Sequence, residues 1–458
     1  MNPVQTAEKQ ITIVISVLLQ DAGEATRSLE IMKGIRETAP DGYTIRGVFF
    51  SHGSKFDEKI LENGFDIQRV TPDLEGKGFR NDLQPSANNF VGDPLLAVEL
   101  LKGEIAALKT WKPDFILYGF WPFAGLARRM ISPAVPGICF LPLPLEPSVY
   151  GSHLMTDVPD QIKPLTFLPA GLRRGIVRVI PARLILKAPI MRQTNILNAA
   201  AACGWSVGQL ANLFDMLKAD LTVINDFSDF YNGVPIPKNY IITGPLYAPS
   251  KTSEIVDPEI ETVFEKKNKD QVNIFCTMGS SGKKECLLEA VKAISALPET
   301  NYHAVILVPE AICPITDVLQ IIKDKSNIYA TNKFIPITLV NARADITICH
   351  GGQGTIQTAL VSGSPIVGFA MQPEQQINLD HIVLRGAGIR IPAPRWSKRN
   401  IISAIHTVTS DNNYRENAVQ LGKMMAKVNG KRETAKTIWE FMENSLEHGK
   451  GEGNCVKE

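Results

Sequence analysis

The chain carries almost no excess of either charge: 48 Lys+Arg stand against 47 Asp+Glu in 458 residues. A nucleic-acid binder needs a basic excess or stripe to hold phosphates, so that class loses its main electrostatic support. The seven cysteines (Cys139, Cys203, Cys276, Cys286, Cys313, Cys349 and Cys455) include no Cys-x-x-Cys pair. Their odd number and their place in apolar runs predict buried thiols in a reducing compartment rather than disulfides. There is no Asp-x-Asp motif and no His/Cys cluster with metal-ligand spacing, so no metal is expected. The apolar run "ITIVISVLL" (11–19) is far short of the roughly 20 residues a membrane span requires. It lacks a small-residue cleavage site and is followed at once by "QDAGEATRS". It reads as a buried first strand, and the protein as cytoplasmic without a transmembrane segment. Fixed-period repeats and low-complexity tracts are also missing.

What is present is an ordinary globular composition, 44% hydrophobic and 21% charged, in a chain too long for one core. Short β-branched runs alternate with helical patterns: "ITIVISVLL", "EATRSLEIMKGIRET", "YTIRGVFFS", "KFDEKILENG", the long amphipathic "VGDPLLAVELLKGEIAALKTW" and "DFILYGF". Alternation with unbroken apolar strands predicts parallel sheets covered on both faces. The pattern restarts at "VNIFCTMGSSG" (272–282) and continues through "YHAVILVP", "NIYAT", "ADITICH" and "SPIVGFA". Two doubly wound α/β halves are expected. The Pro-, Ser- and charge-rich 251–270 should link a domain over 1–250 to one over 271–430. A helix over 431–447 follows, and 448–458 reads as a disordered tail.

One stretch differs in charge. Residues 161–214 hold Lys163, Arg173, Arg174, Arg178, Arg183, Lys187 and Arg192 but no Asp or Glu. Two readings stand: a solvated basic face beside an acceptor cleft, or, over 161–192, a peripheral contact with anionic lipid. Pro181 and Pro189 exclude a single long helix.

"HGGQGT" (350–355) places His350 at the carboxyl end of the apolar "ADITICH", with the helical "TIQTALVSG" behind it. A glycine-rich loop between a strand end and a helix start is where open α/β sheets bind ligands. The helix N-terminus offers free N–H groups to phosphate, glycines let the backbone come close, and a histidine can bond a phosphate oxygen. Twenty-four residues after His350 comes "EQQIN", again after an apolar strand. Its carboxylate–amide pair, Glu374 and Gln375, suits sugar hydroxyls. "FIP" (334–336) and "TMGSSG" (277–282) would converge on the same sheet edge.

This arrangement resembles the UDP-glycosyltransferases of the GT-B fold (two Rossmann-like domains facing across a cleft), bacterial and macrolide members included. That family has a His-x-Gly signature, a Pro after the helix and an Asp/Glu–Gln pair 24 residues after the His. Here His350, Gly352, Thr355, Pro365, Glu374, Gln375 and Asn378 stand in that register. The resemblance implies that the first domain binds the acceptor, the second binds the nucleotide sugar, and the C-terminal helix crosses back to the first. It implies Phe334 beside the base, backbone of Ile335 or Ile337 on the base edge, and Ser280, His350, Gly352, Gly354 and Thr355 around the diphosphate. Glu374 and Gln375 would hold the donor sugar. Many members carry a ribose-binding Glu eight residues after the His; this chain has Thr358, which leaves UDP and dTDP both open.

Inverting transfer needs a base for the acceptor hydroxyl. The family usually supplies a His after the first strand and an Asp partner after the mid-domain strand. In "DAGEATRSLEI" Glu24 stands where the His is expected, and Gly119, Phe120 and Trp121 occupy the Asp's place. A carboxylate base needs no such partner, so Glu24 becomes the candidate base. Its competing role is to favour the helix start through its charge; Asp21 is a reserve base, and His52 and His153 are candidate acceptor-side residues. The expected activity is metal-independent transfer of a hexosyl group from a UDP- or dTDP-sugar to a hydroxyl of a hydrophobic small molecule or lipid. The alternatives are a catalytically silent homologue that activates a partner, and a nucleotide-sugar epimerase of the same fold.

Overall fold

Seven short runs, buried and rich in β-branched and aromatic residues except at the two edges, pair in parallel as one sheet: β1 (Lys9–Ser16), β2 (Tyr43–Ser51), β3 (Asp66–Arg69), β4 (Phe115–Tyr118), β5 (Gly137–Leu141), β6 (Leu221–Ile224) and β7 (Tyr240–Ile242). Their order is β3-β2-β1-β4-β5-β6-β7. The computed structural model describes residues 8–452 apart from 87, 182–183, 185–186, 248–256, 267, 269, 280–281 and 334. Within it the chain forms two units. The first is built from the chain up to Gly151, from Pro181–Leu246 and from Asn429 onward; the second from Ser152–Ile180 and Tyr247–Val428.

In the first unit β4 and β5 are buried along their whole length, as strands covered on both faces must be. The order reverses at β1, which pairs with β2 on one side and β4 on the other. Ligand crevices form at such a reversal, outside the carboxyl ends of the two diverging strands. Helix α1 (Ala22–Glu37) begins there because the Asp21 carboxylate accepts from the N–H groups of Gly23 (2.8 Å) and Glu24 (3.2 Å). Helix α2 (Pro94–Trp111) starts on Asp93 in the same manner, with Pro94 at its first position.

The second unit repeats the plan with β8 (Val272–Thr277), β9 (Tyr302–Leu307), β10 (Ile328–Thr331), β11 (Ile346–Cys349), β12 (Ile366–Gly368) and β13 (Gly388–Arg390), all parallel, in the order β10-β9-β8-β11-β12-β13. Its reversal lies between β8 and β11. It also contains helix α3 (Ala170–Val179), α4 (Pro258–Phe264), α5 (Gln353–Val361) and α6 (Pro373–Leu384). The last helix, α7 (Gly430–Glu452), belongs to the first unit. Ala435, Ile438, Trp439 and Met442 enter that unit's core, and the Trp439 indole donates to the Ile35 carbonyl at 2.9 Å. A Cβ on Gly34 would come within 3.1–3.2 Å of Lys431 and Ala435, so this glycine sets how closely α1 and α7 approach.

Three expected boundaries differ. Residues 152–180 pack in the second unit, not with the rest of 1–250, because buried ion pairs described below hold them there. Part of the expected linker is helix α4: Ile260, Val263 and Phe264, at helical spacing, bury against Phe275 and Val305. Residues 448–452 are the end of α7 rather than a tail; 453–458 lie outside the described residues. The six described cysteines are unpaired, and burial pushes the Cys349 thiol up to about 12. No helix among the described residues is long and apolar enough to cross a membrane.

Candidate functional site

Each sheet carries chemistry-bearing side chains at its reversal. In the first unit, Glu24 follows β1 and lies only 4% exposed. Its Oε1 accepts from Arg27 Nη2 (2.8 Å) and its Oε2 from the backbone N–H of Phe120 (3.1 Å), just after β4. Burial raises its pKa to about 7, against the lowering effect of Arg27. Each oxygen keeps a second lone pair for an incoming hydroxyl. Asp21 is the cap of α1, and Glu24 stands in the first turn, where its charge favours the helix start beside any role as a base.

The loop that lacks the expected Asp therefore supplies an N–H in its place. Gly119 permits this: a Cβ there would sit 1.7 Å from Glu24 Oε2 and 2.8 Å from Phe140 Cζ. Trp121 anchors the other side of the same loop. Its indole donates at 2.8 Å to Glu104 Oε1, a fully buried carboxylate on α2 that also accepts from Ser16 Oγ at 2.6 Å. His52 belongs to this internal network. Its Nδ1 donates to the Pro72 carbonyl at 3.0 Å and its Nε2 stands 3.5 Å from Glu104 Oε1. Neither Glu104 nor the N–H of Phe120 was legible as a partner from sequence. His153, in the second unit, is exposed.

In the second unit, His350 follows β11 and is buried. Its imidazole lies between two glycines. A Cβ on Gly279, after β8, would come 2.5 Å from its Cε1, and one on Gly352 would come 2.8 Å from its Nε2. Burial lowers the His350 pKa to about 4, so the ring is neutral at pH 7 and offers a hydrogen bond rather than a charge. Helix α5 starts at Gln353 with Gly352 as its cap, no capping side chain and no acid in its first turn. Its N–H groups are the positive pole of the loop. Gly354 is exposed, and a Cβ there would meet nothing within 4 Å. Thr358 turns into its own helix, donating to the carbonyls of Gly354 (2.9 Å) and Thr355 (3.0 Å). Ile335 is buried and Ile337 opens a short helix; Ser280 and Phe334 lie outside the described residues.

Glu374 and Gln375 occupy the first turn of α6. Asn378 Nδ2 bridges Glu374 Oε1 (2.5 Å) to the Gly351 carbonyl (3.1 Å), tying the pair to the glycine loop. Gln375 is buried, and its Oε1 accepts from Met371 N–H at 2.9 Å, leaving its N–H₂ to donate. The next residue, Gln376, holds residues 157–160: its Oε1 accepts from Asp160 N–H (3.1 Å) and its Nε2 donates to the Val158 carbonyl (2.9 Å). Beneath it, the buried Arg390 guanidinium reaches Asp157 (2.5 Å), Asp160 (2.7 Å) and Asp380 (2.7 Å). Arg173 adds a second cation to Asp157 at 2.8 Å. Burial alone would raise Asp157, but Arg173 and Arg390 outweigh it and hold it below the usual carboxylate range. Burial keeps Asp160 and Asp380 above that range despite Arg390. Arg173, expected from sequence on a basic or lipid-facing surface, is instead a buried ion-pair partner of Asp157. Among the described residues no group of three or more His, Cys, Asp or Glu could hold a metal ion.

Residues 319–441 match the family model "Erythromycin biosynthesis protein CIII-like, C-terminal domain". A PGL/p-HBAD biosynthesis rhamnosyltransferase of Mycobacterium bovis is 25% identical over 222 residues, 48% of this chain and 44% of that protein, so the chain spans under half of this relative's length. The solved glycosyltransferase of kitacinnamycin superposes with a TM-score of 0.63 at 19% identity, covering 93% of this chain and 97% of that one. Spinosyn rhamnosyltransferase SpnG complexed with thymidine diphosphate gives a TM-score of 0.53 at 15% identity, covering 93% and 99%. Two doubly wound parallel units of this kind are the GT-B fold, and by fold and matched sequence the chain is related to bacterial nucleotide-sugar glycosyltransferases.

Proposed function

We propose that the chain is an inverting, metal-independent glycosyltransferase that moves a hexosyl group from a UDP- or dTDP-sugar to a hydroxyl of a hydrophobic small molecule or lipid. The observation that carries this reading is Glu24, a buried carboxylate raised to about 7 at a sheet reversal and held by a backbone N–H. A base poised near neutrality removes the acceptor proton efficiently. As the acceptor oxygen forms its bond to C1 of the sugar, the C1–O bond to the diphosphate breaks on the opposite face. The proton passes to Glu24 and the nucleoside diphosphate leaves with the bonding pair. The α5 N-terminus, with Gly352, Gly354 and Thr355, receives the diphosphate charge, and neutral His350 adds a hydrogen bond. Glu374 and the Gln375 N–H₂ take donor-sugar hydroxyls; backbone near Ile335 and Ile337 takes the base edge, with Phe334 and Ser280 completing the donor side. The matched family and the diphosphate complex of a structural relative support this reading. The poised Glu24 weighs against a silent homologue.

Titration of UDP and dTDP into the metal-free protein tests the donor half. Saturable binding of at least one is expected. Gly354→Ala should raise stability by about 0.5–1 kcal/mol, since alanine favours the helix and meets no neighbour. It should nevertheless weaken nucleotide binding roughly tenfold or more, about 1.4 kcal/mol, by holding the diphosphate off the backbone. Unchanged affinity would remove the α5 N-terminus from the donor site.

Gly119→Ala probes the acceptor half. The added methyl must push Glu24 off the Phe120 N–H, a contact that lowers its pKa. Overpacking should cost about 1–3 kcal/mol, and the midpoint of the pH–rate profile should move above that of wild type. A midpoint that stays put would contradict this placement of Glu24.

A further inference from the structure

Among the described residues twelve large apolar side chains are exposed, and six of them fall between 162 and 190: Ile162, Phe167, Leu172, Val179, Leu184 and Ile190. The first four belong to the second unit, on α3 and the turn before it. Helical spacing sorts α3 into three faces. Arg173 and Val177 are buried. Leu172 and Val179, seven residues apart with Ile176 between them, form an outward apolar stripe, 58% and 77% exposed at its ends. Arg178 is exposed roughly a quarter-turn from Val179, whereas Arg174 lies on the side of the helix opposite the stripe.

The charge around the stripe is one-sided. No Asp or Glu occurs between Asp160 and Asp215. Asp157 and Asp160 are spent on Arg173 and Arg390. Arg174 lines a recess with Asp157, Asp380 and Asp411, so it is not one of the cations of the stripe. Lys163 is exposed beside Ile162. An apolar stripe with Lys163 before it and Arg178 on one flank, and with Phe167 65% exposed at its foot, suits a helix that lies in a headgroup layer and draws anionic lipid. A soluble protein partner would have to bury the same stripe while neutralising unopposed cations. The next residues, Leu184, Lys187, Ile190 and Arg192, are all exposed in the first unit and repeat the composition.

We propose that residues 162–179 dock the protein on an anionic bilayer, with Phe167, Leu172 and Val179 in the headgroup layer and Lys163 and Arg178 on lipid phosphates. The surface stands without the enzymatic reading; a lipid acceptor, as proposed above, would give it a purpose. The full chain is sedimented with phosphatidylcholine vesicles, with and without phosphatidylglycerol, at low and high salt. Binding is expected only with phosphatidylglycerol and should weaken as salt rises. Lys163→Glu with Arg178→Glu should weaken it by at least about 25-fold, taking roughly fivefold per cation. Phe167→Ser with Leu172→Ser should weaken it about tenfold or more. All four side chains lie outside the proposed donor site, so nucleotide binding should not change. Absence of binding to anionic vesicles, or equal binding by the variants, would overturn the proposal. So would equal binding to phosphatidylcholine alone, or a dimer in solution abolished by the serine variants, which would assign the stripe to a second copy of the chain. If vesicles bind but no nucleotide does, the docking surface survives and the enzymatic reading fails.

Discussion

Glu24→Gln is expected to slow sugar transfer by about 10²- to 10⁴-fold, the range a positioned general base supplies, while nucleotide affinity stays at the wild-type value. Glutamine keeps the shape and can still accept from the Phe120 N–H, but it cannot take a proton. Wild-type kcat/KM should rise with pH through an apparent midpoint about 7 and level off above it, because only ionised Glu24 acts as a base. The same substitution should stabilise the fold in alkaline solution. A carboxyl whose folded pKa is raised favours folding fully below its unfolded pKa, and that contribution is lost as pH rises through the folded value. From 4.5 to about 7 the displaced ionisation is on the order of 1–3 kcal/mol. That net shift already includes the opposing effect of the Arg27 ion pair. Denaturant melts at pH 5 and pH 9 test this: the variant should gain on wild type only at the higher pH. An equally fast variant would remove Glu24 from catalysis.

Arg390→Met should destabilise the second unit by about 3–5 kcal/mol, the cost of leaving buried charges without their counter-ion. Three carboxylates share the Arg390 and Arg173 guanidiniums, and methionine leaves Asp160 and Asp380 without a cation. Arg390→Lys should fall between, since one ammonium cannot fork to three acids. The sign of the pH dependence follows from the three shifts. Asp157, lowered in the fold, contributes stability above its unfolded pKa that is lost as pH falls; Asp160 and Asp380, raised, contribute below theirs and lose that as pH rises. Without Arg390 all three shift upward. The deficit of the variant should then be largest near neutral pH and narrow in acid. Urea unfolding across that range measures it, and a deficit that grows on acidification would show that Arg390 does not neutralise this cluster. Because residues 157–160 also hold Gln376, next to Glu374 and Gln375, donor affinity should fall in the same variant.

The donor loop was legible because its meaning is local. His350, its glycines, the helix behind it and the Glu374–Gln375 pair lie within 26 residues, and strand and helix periodicities bracket them. The parallel strands were legible for the same reason, except four. β3 is a polar edge, β6 is four residues long, β7 is three residues and only partly buried, and β13 is three residues with a buried arginine. The settings of Glu24 and Arg390 were not legible. Glu24 meets Phe120 across 96 positions and Arg390 meets Asp157 across 233. A lone acid at a helix start and a lone arginine in a strand give no hint of such partners. The same blindness assigned 152–180 to the wrong unit, since the ion pairs that hold it there join residues far apart in sequence. Helix α4 was hidden differently: its Pro- and acid-rich composition masks the buried face formed by Ile260, Val263 and Phe264.

One assay reaches sugar transfer with Glu24 as base directly. The metal-free full chain is incubated with UDP- and dTDP-sugars and a panel of hydrophobic alcohols, and glycosides are identified by mass spectrometry beside Glu24→Gln. Wild type should yield a glycoside, inverted at C1, with nucleoside diphosphate released in step, and the variant almost none. A sugar nucleotide turned over without any acceptor, or no nucleotide sugar bound even at millimolar concentration, would contradict that transfer.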